Sequence, residues 1–394
     1  MKKATIISGS WTTNDHLPQE IVIDILYQLP VKSLCRFKCV SPSWKTLISS
    51  HHFAQTHLSR TKYSNNQTYK AILFSGSFDL YSVDFADSNP NPRKLNFPSF
   101  NRADCWFRSL SSCNGLVLVS DDGSANFLLN PSTGEYKKLP ESPFHKYSSS
   151  LSPYVFYPPG LGYDSHTDDY KVVLLFNMAT LFENMTNVAV YSLKTDAWKM
   201  VQSFPIPLVE VERVRGYCFN ERLHWLCRRS GRLDFPRMML ALDLTDEIFS
   251  EVQLPALCDD HEFRSHDMVA LGGCLGLLVW LESDQIDVWM MMEYGVRESW
   301  TKFSIANPWG SIVDVLCLSG QDKLVFVRGR VVYEVEGDKL VLYDPKEGTW
   351  RDVVVPGIPK YLIGDNYMET LVPPNHGGRI SDKSESSSHS SKRW

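Results

Sequence analysis

The sequence predicts a small all-α unit at the N-terminus followed by an all-β propeller, and three observations carry that expectation. Residues 17–60 place apolar side chains at helical spacing in three short stretches. From Ala71 onward the texture changes to short β-branched and aromatic runs, such as LVLV (116–119), KVVLLF (171–176), LGLLVW (275–280) and KLVLYD (339–344), separated by Gly, Asn, Asp and Pro. Within that region a unit made of a polar turn and an aromatic residue recurs, at intervals close to the length of one propeller blade.

The N-terminal stretch opens on Pro18, which the first turn of a helix tolerates, with Gln19 and Glu20 near the positive helix end. Ile21, Val22, Ile23, Ile25, Leu26 and Leu29 follow, interrupted only by Asp24 and Gln28. A helix apolar around so much of its circumference is buried on more than one side. Leu29-Pro30 breaks it, Leu34, Phe37 and Val40 form a second stripe, Ser41-Pro42 supplies an N-cap with proline in the first turn, and Trp44, Leu47 and Ile48 form a third stripe. About 44 residues is below the size at which a single core is self-sufficient. The unit therefore packs on the rest of its own chain or on a partner.

Stacking the turn-plus-aromatic units gives NPSTGEYKKLP ending at Pro140, SLKTDAWKMVQSFP at Pro205, LDLTDEIFSEVQLP at Pro255, EYGVRESWTKFSI at Ile305 and YDPKEGTWRDVVVP at Pro356. The weaker VDFADSNPNPRKLNFP precedes them, ending at Pro98, so successive spacings are 42, 65, 50, 50 and 51 residues. Four strands of about 5–6 residues with their turns need roughly 40–50 residues. The expectation is six blades, with Tyr136, Trp198, Phe249, Trp300 and Trp350 as packing between blades. Tyr361–Ile363 and Tyr367–Val372 are expected to supply a closing strand to the first blade. The boundaries that follow are 1–14 without fixed structure, 15–60 helical, 61–70 a linker, 71–374 the propeller and 375–394 a serine-rich tail too poor in apolar residues to fold.

Composition narrows the function classes. Forty Lys and Arg against 45 Asp and Glu give a formal charge of -5, which argues against binding nucleic acid by phosphate neutralisation. Nine scattered cysteines without paired spacing fit reduced thiols in the cytoplasm or nucleus. The longest apolar run, Cys274–Leu281, is far short of the roughly 20 residues of a membrane span. No C-x2-C pair occurs, which excludes a multi-zinc RING; Cys258, His261 and His266 read as a polar loop and not as a metal site. Ser112-Cys113-Asn114-Gly115 reads as a tight turn into the LVLV strand in preference to a nucleophile turn, and Gly160–Asp164 as a strand start in preference to a nucleotide loop. No catalytic residue, metal site or cofactor is expected.

The order LP-E-I, IL-LP, VKSL, CVS-W and LI over residues 17–60 resembles the F-box, the module that docks a protein onto the small adaptor subunit of a cullin-RING ubiquitin ligase. SSCNGLVLV, LLNPSTGEYKKLP, GLGYDSHTDDYKVV, VAVYSLKTDAWKMV and GYCFNERLHWL resemble the F-box-associated domain of a large plant class often labelled F-box/kelch-repeat proteins. Gly272-Gly273 is the one clear pair of the kelch type. The resemblance covers about residues 17–372 and implies kelch-like blades and a non-catalytic substrate receptor of an SCF-type ligase. It implies docking of a plant Skp-like adaptor, and through it a cullin, by Leu17, Pro18, Ile21, Ile25, Leu29, Pro30 and Leu34. Trp44 and Leu47 either extend that surface or pack the third helix. The propeller would hold a protein substrate whose identity, like the residues that bind it, the sequence does not give. The alternatives are an F-box scaffold acting without ubiquitin ligation and a propeller that binds or processes glycans.

Overall fold

The computed structural model describes residues 18–375 except 64–68, 76–78, 85–89, 98–106, 122–125, 145–153, 179–185, 205–207, 211–214, 230–236, 256–262, 282, 284, 308–311, 320–322, 329–338 and 357–361. Leu17 and the serine-rich tail lie outside the described residues. The chain begins with four helices, α1 (Gln19–Tyr27), α2 (Val31–Phe37), α3 (Pro42–Ile48) and α4 (His51–Tyr63). Three of these were legible as apolar stripes, whereas α4 takes in Thr61–Tyr63, read from the sequence as linker. The first strand likewise begins at Tyr69, inside that stretch.

Six sheets follow among the described residues. Blade 1 holds β1 (Tyr69–Ser75), β2 (Leu80–Val83) and β3 (Arg93–Lys94), and blade 2 holds β4 (Phe107–Cys113), β5 (Leu116–Asp121), β6 (Asn126–Asn130) and β7 (Glu135–Lys138). Blade 3 has β8 (Tyr154–Phe156), β9 (Gly160–Asp164), β10 (Asp169–Met178), β11 (Thr186–Ser192) and β12 (Ala197–Phe204), with β8 and β9 together forming its interrupted first strand. Blade 4 repeats this with β13 (Leu208–Glu210), β14 (Tyr217–Phe219), β15 (Arg222–Arg229), β16 (Arg237–Asp243) and β17 (Phe249–Val252). Blade 5 comprises β18 (Phe263–Leu271), β19 (Cys274–Leu281), β20 (Gln285–Met291) and β21 (Trp300–Ala306). Blade 6 comprises β22 (Ile312–Ser319), β23 (Lys323–Arg328), β24 (Lys339–Asp344) and β25 (Thr349–Val353).

The last strand, β26 (Leu362–Met368), returns to blade 1 and pairs antiparallel with β1, Tyr69 opposite Met368 through Ser75 opposite Leu362. Closure is as the sequence predicts, but the paired residues are 362–368, and residues 369–372 serve another purpose described below. The innermost strands β26, β4, β9, β14, β18 and β22 touch in turn and close a ring, which leaves no first or last blade with an open inner edge. Where blades 3 and 4 meet at the centre, a Cβ on Gly216 would sit 2.6 Å from the Gly160 Cα, so these two backbones can approach only as glycines.

The recurring unit is the hairpin that leads into each outer strand. Asn130, Asp243 and Asp344 end the third strands of their blades, and each accepts hydrogen bonds from backbone N–H groups two and three residues on, at 2.8–3.3 Å. The chain then needs a left-handed residue four positions after each: Gly134, Glu247 and Gly348 have φ of 76°, 57° and 64°. The aromatic that follows clasps the preceding blade. Trp198, Trp300 and Trp350 donate their indole N–H to the carbonyls of Pro140, Gln253 and Ala306, at 2.8, 3.0 and 2.9 Å, each at or just beyond the outer strand of the blade before. Phe249 has no donor to offer at this position in blade 4, where Trp225 of β15 donates to Pro158 instead.

Blades 3 and 4 are further joined by charge. Lys171, only 8 % exposed, meets Asp164 at 3.0 Å and Glu247 at 3.3 Å, and the Thr245 hydroxyl reaches Asp164 at 3.0 Å. Burial alone would raise the Asp164 carboxyl, but hydrogen bonds from Thr167, Lys171 and Thr245 outweigh it and hold the group down at about 2. Burial lowers His224, whose Nε2 lies 2.7 Å from the Tyr294 hydroxyl, to about 4.

Both shifts fix a pH dependence. The unfolded imidazole charges first, near pH 6.5, so the His224 contribution to stability is full above about pH 6.5, falls as pH drops toward 4 and changes no further below. The unfolded carboxyl takes up its proton near pH 4, so the Asp164 contribution is full above about pH 4 and is lost as pH falls through about 2. Denaturant titrations from pH 7 to pH 2 should show both limbs, and His224→Gln should flatten the upper one. A chain stopped before Leu362 loses β26 and should aggregate or unfold non-cooperatively, whereas one stopped after Asn375 should melt like the full chain in calorimetry.

Candidate protein-docking surface

The helical unit divides its apolar residues between a core and a surface. Val22 and Leu26 of α1 turn inward with Val31 and Leu34 of α2, Ile48 of α3, and Phe53 and Ala54 of α4. One helical turn is 3.6 residues, so Ile21 and Ile25 fall together on the opposite face of α1, where they are 47 % and 46 % exposed. Val40, after α2, is 62 % exposed, and Pro18 and Pro30 are exposed as well. Large aliphatic side chains on one face of a helix that is otherwise clamped in place form a surface suited to a partner.

The clamp is specific. Tyr27 stacks on Phe53 with ring centroids 4.6 Å apart, Arg60 of α4 reaches Asp24 at 3.0 Å and lies over the Tyr27 ring, and the His57 Nε2 meets the Leu29 carbonyl at 2.9 Å. Ser41 caps α3 by accepting from the Trp44 N–H at 3.2 Å, and the Trp44 ring packs edge-on against Phe37.

The expected docking residues therefore separate. Pro18, Ile21, Ile25 and Pro30 are exposed; Leu29, Trp44 and Leu47 are half-buried against the helical core. Leu34 is fully buried, and its position in the core, not on a docking face, corrects the expectation from the sequence. Val40 is an exposed apolar residue that the sequence reading assigned to a packing stripe. Its place just before the Ser41-Pro42 cap, between two helices, could have signalled exposure.

What the helices stand on is equally defined. In blades 2–6 the hairpins joining the first strand to the second, and the third to the fourth, lie at one end of the ring, called here the near face; in blade 1 that end is marked by Met368 paired with Tyr69. The opposite ends of the strands define the far face. Met368 ends β26 at the near face, and the chain runs on from there into the helical unit. Leu371 inserts into the helical core, 4 % exposed, while Val372 packs in the propeller core beside Leu58 of α4. Asn130, the residue that makes the blade 2 turn, donates through its Nδ2 to the carbonyls of Thr370 and Val372 at 3.0 and 2.8 Å. Gly115, with φ of 82°, leaves space that Thr370 occupies; a Cβ there would lie 2.2 Å from the Thr370 Cγ2. Gln55 and His51 of α4 both reach the Asp168 carboxylate at 3.5 Å, at the blade 3 hairpin.

On the propeller axis, Arg215 pairs with Asp365 at 3.0 Å and donates to the Gly364 carbonyl at 2.8 Å. Among the described residues no group of three or more His, Cys, Asp or Glu could hold a metal ion, and no helix is long and apolar enough to cross a membrane. Asn114 and Gly115 have φ of 50° and 82°, the tight turn expected between β4 and β5. Cys258 and His261 lie outside the described residues.

Four helices carrying an exposed aliphatic face, fixed to one end of a propeller, define an F-box protein. The F-box domain family matches residues 15–56, and the F-box associated beta propeller domain family matches residues 74–377. Similar proteins from Arabidopsis thaliana include F-box protein CPR1, 33% identical over 377 residues that cover 90% of this chain and 88% of that one. F-box/kelch-repeat protein At3g23880 is 28% identical, with 91% of this chain and 96% of the other covered. The chain belongs to the plant F-box proteins whose F-box is followed by an F-box associated β-propeller.

Leu371 offers a direct test of the joint between the two parts. Leu371→Ala should destabilise the helical unit by about 2–5 kcal/mol, the usual cost of such a cavity. Hydrogen exchange should quicken in α1–α4 while the outer strands of blades 4–6 stay protected.

Proposed function

We propose that the protein is a substrate receptor of an SCF-type cullin-RING ubiquitin ligase, acting in the cytoplasm or nucleus. The observation that carries this reading is the exposure of Ile21 and Ile25 on α1, while the inward side of the same helical unit is used up by its own core and by Leu371. The exposed residues Pro18, Ile21, Ile25, Pro30 and Val40 are the ones assigned to the Skp-like adaptor, with burial of aliphatic surface as the driving force. Leu29, Trp44 and Leu47 hold this surface in shape from behind.

The propeller then carries the substrate. Its near face carries the helices, so the substrate is assigned to the far face. The receptor takes no part in bond making. It raises the effective concentration of a substrate lysine beside a conjugating enzyme that the rest of the complex supplies. Fixing the F-box on the near face keeps that distance the same in every encounter.

Adaptor capture tests the reading. The double variant Ile21→Asp, Ile25→Asp should lower affinity for a Skp-like adaptor by about a hundredfold or more, as expected when two central apolar contacts are lost. The propeller should melt unchanged. Wild-type adaptor binding by this variant, or no adaptor binding by the wild-type chain, would reject the assignment. Ubiquitination of a bound target by the reconstituted ligase separates a receptor from a scaffold.

A further inference from the structure

Two cysteines that the docking surface does not use face each other across the centre of the ring. Cys113 ends β4, the innermost strand of blade 2, and Cys218 sits in β14, the innermost strand of blade 4. Their Sγ atoms are 3.6 Å apart although 105 residues separate them in sequence. Both lie at the near face under α4, where Leu58, Tyr170, Met368 and Val372 pack around Cys113 and where Cys218 and Tyr163 pack against the same group. No third metal-binding side chain joins them among the described residues.

We propose that Cys113 and Cys218 are a peroxide-sensitive dithiol that closes to a reversible disulfide, linking the inner strands of blades 2 and 4 across blade 3. Two features of the geometry support it. A disulfide bond is about 2.05 Å long, so the sulfurs need to close by only about 1.5 Å, and the cysteines are already held face to face. A small polar cavity lined by Ser112, Arg215, Tyr217, Asp365 and Asn366 also reaches Cys218, giving a water-like oxidant a place beside that residue. The acidities agree: the hydrogen bond from Cys113 lowers Cys218, while Cys113 is pushed well up, first by that same bond and then by burial. Lys62 favours the thiolate at both.

The chemistry balances with hydrogen peroxide as oxidant. The Cys218 thiolate attacks one peroxide oxygen and the O–O bond breaks, giving a sulfenic acid and hydroxide, which becomes water on protonation. The Cys113 sulfur then attacks the Cys218 sulfur; the S–O bond breaks and the departing hydroxide takes the Cys113 proton as a second water. Two thiols lose two electrons and one peroxide gains them. A dithiol reductant reverses the step by exchange. The cross-link closes a long loop and ties blades on either side of blade 3, so it should raise the unfolding temperature of the propeller.

The full chain, purified reduced, would be exposed to graded hydrogen peroxide, alkylated under denaturing conditions and mapped by mass spectrometry without reductant. The expected product is a Cys113–Cys218 linked peptide that disappears with dithiothreitol, together with a higher melting temperature in the oxidised wild type. Cys218→Ala should leave Cys113 alkylatable and abolish the thermal shift. Exposed Cys39 reports that oxidant was sufficient. The proposal fails if Cys113 and Cys218 both remain alkylatable once Cys39 is fully oxidised, if either pairs with another cysteine instead, or if Cys218 passes to the sulfinic acid with Cys113 still free. The wild-type map decides the matter even if the variant does not fold.

Discussion

One segment, residues 362–372, holds the molecule together twice. As β26 it pairs with β1 some 290 residues earlier and converts six sheets into a ring. Three and four residues beyond the end of β26 it places Leu371 in the core of the helical unit and Val372 in the core of the propeller. Neither body is complete without it: the ring lacks its innermost strand in blade 1, and the helices lack an apolar partner for a unit too small to bury its own surface. The hydrogen bonds of Asn130 to the Thr370 and Val372 carbonyls fix the segment as it crosses from one body to the other.

This arrangement decides the geometry of the proposed complex. A flexible tether between F-box and propeller would let a bound substrate sample many distances from the conjugating enzyme. Here α4, Leu371 and the Asp168 contacts seat the helical unit on the near face, so the proposed adaptor surface on α1 is carried by a fixed joint. The Asp24–Arg60 pair and the Tyr27–Phe53 stack extend that rigidity from the propeller out to α1. Exposed ion pairs of this kind add little stability singly. Their contribution is to orientation, and apolar burial supplies the affinity of the joint.

The blade count was legible because one physical requirement recurs in the sequence. A strand that ends on Asn or Asp, turns through a left-handed residue four positions on and then delivers an aromatic to the preceding blade leaves a readable signature, as in Asn130 to Gly134 to Tyr136 and Asp344 to Gly348 to Trp350. The closing strand was legible only in outline. Gly364, Asp365 and Asn366 are poor strand formers, and no residue pattern signals that Asp365 meets Arg215 across the ring, so the better β-pattern of residues 367–372 draws the expected pairing too far along. Helix α4 was missed as a separate element since its residues are largely polar and its buried positions, Phe53, Ala54, His57 and Leu58, are few. In α1 and α2 the difficulty was the reverse. When apolar residues surround a helix, periodicity cannot say which side meets the chain's own core and which meets a partner, and only the folded unit puts Leu34 inside and Ile21 and Ile25 outside.

The cysteine pair belongs to the same constraint. Propeller blades 2 and 4 are not neighbours in sequence order, yet their innermost strands meet because glycines at 160 and 216 let blades 3 and 4 press together at the centre. The place where they meet is the seat of α4, so the sulfurs lie in the joint that carries the F-box and not in a remote part of the ring. A covalent bond there would stiffen the surface on which the helices rest without touching Ile21 or Ile25. The oxidation state of the propeller would thus alter the persistence of the joint while leaving the exposed aliphatic residues of α1 chemically unchanged.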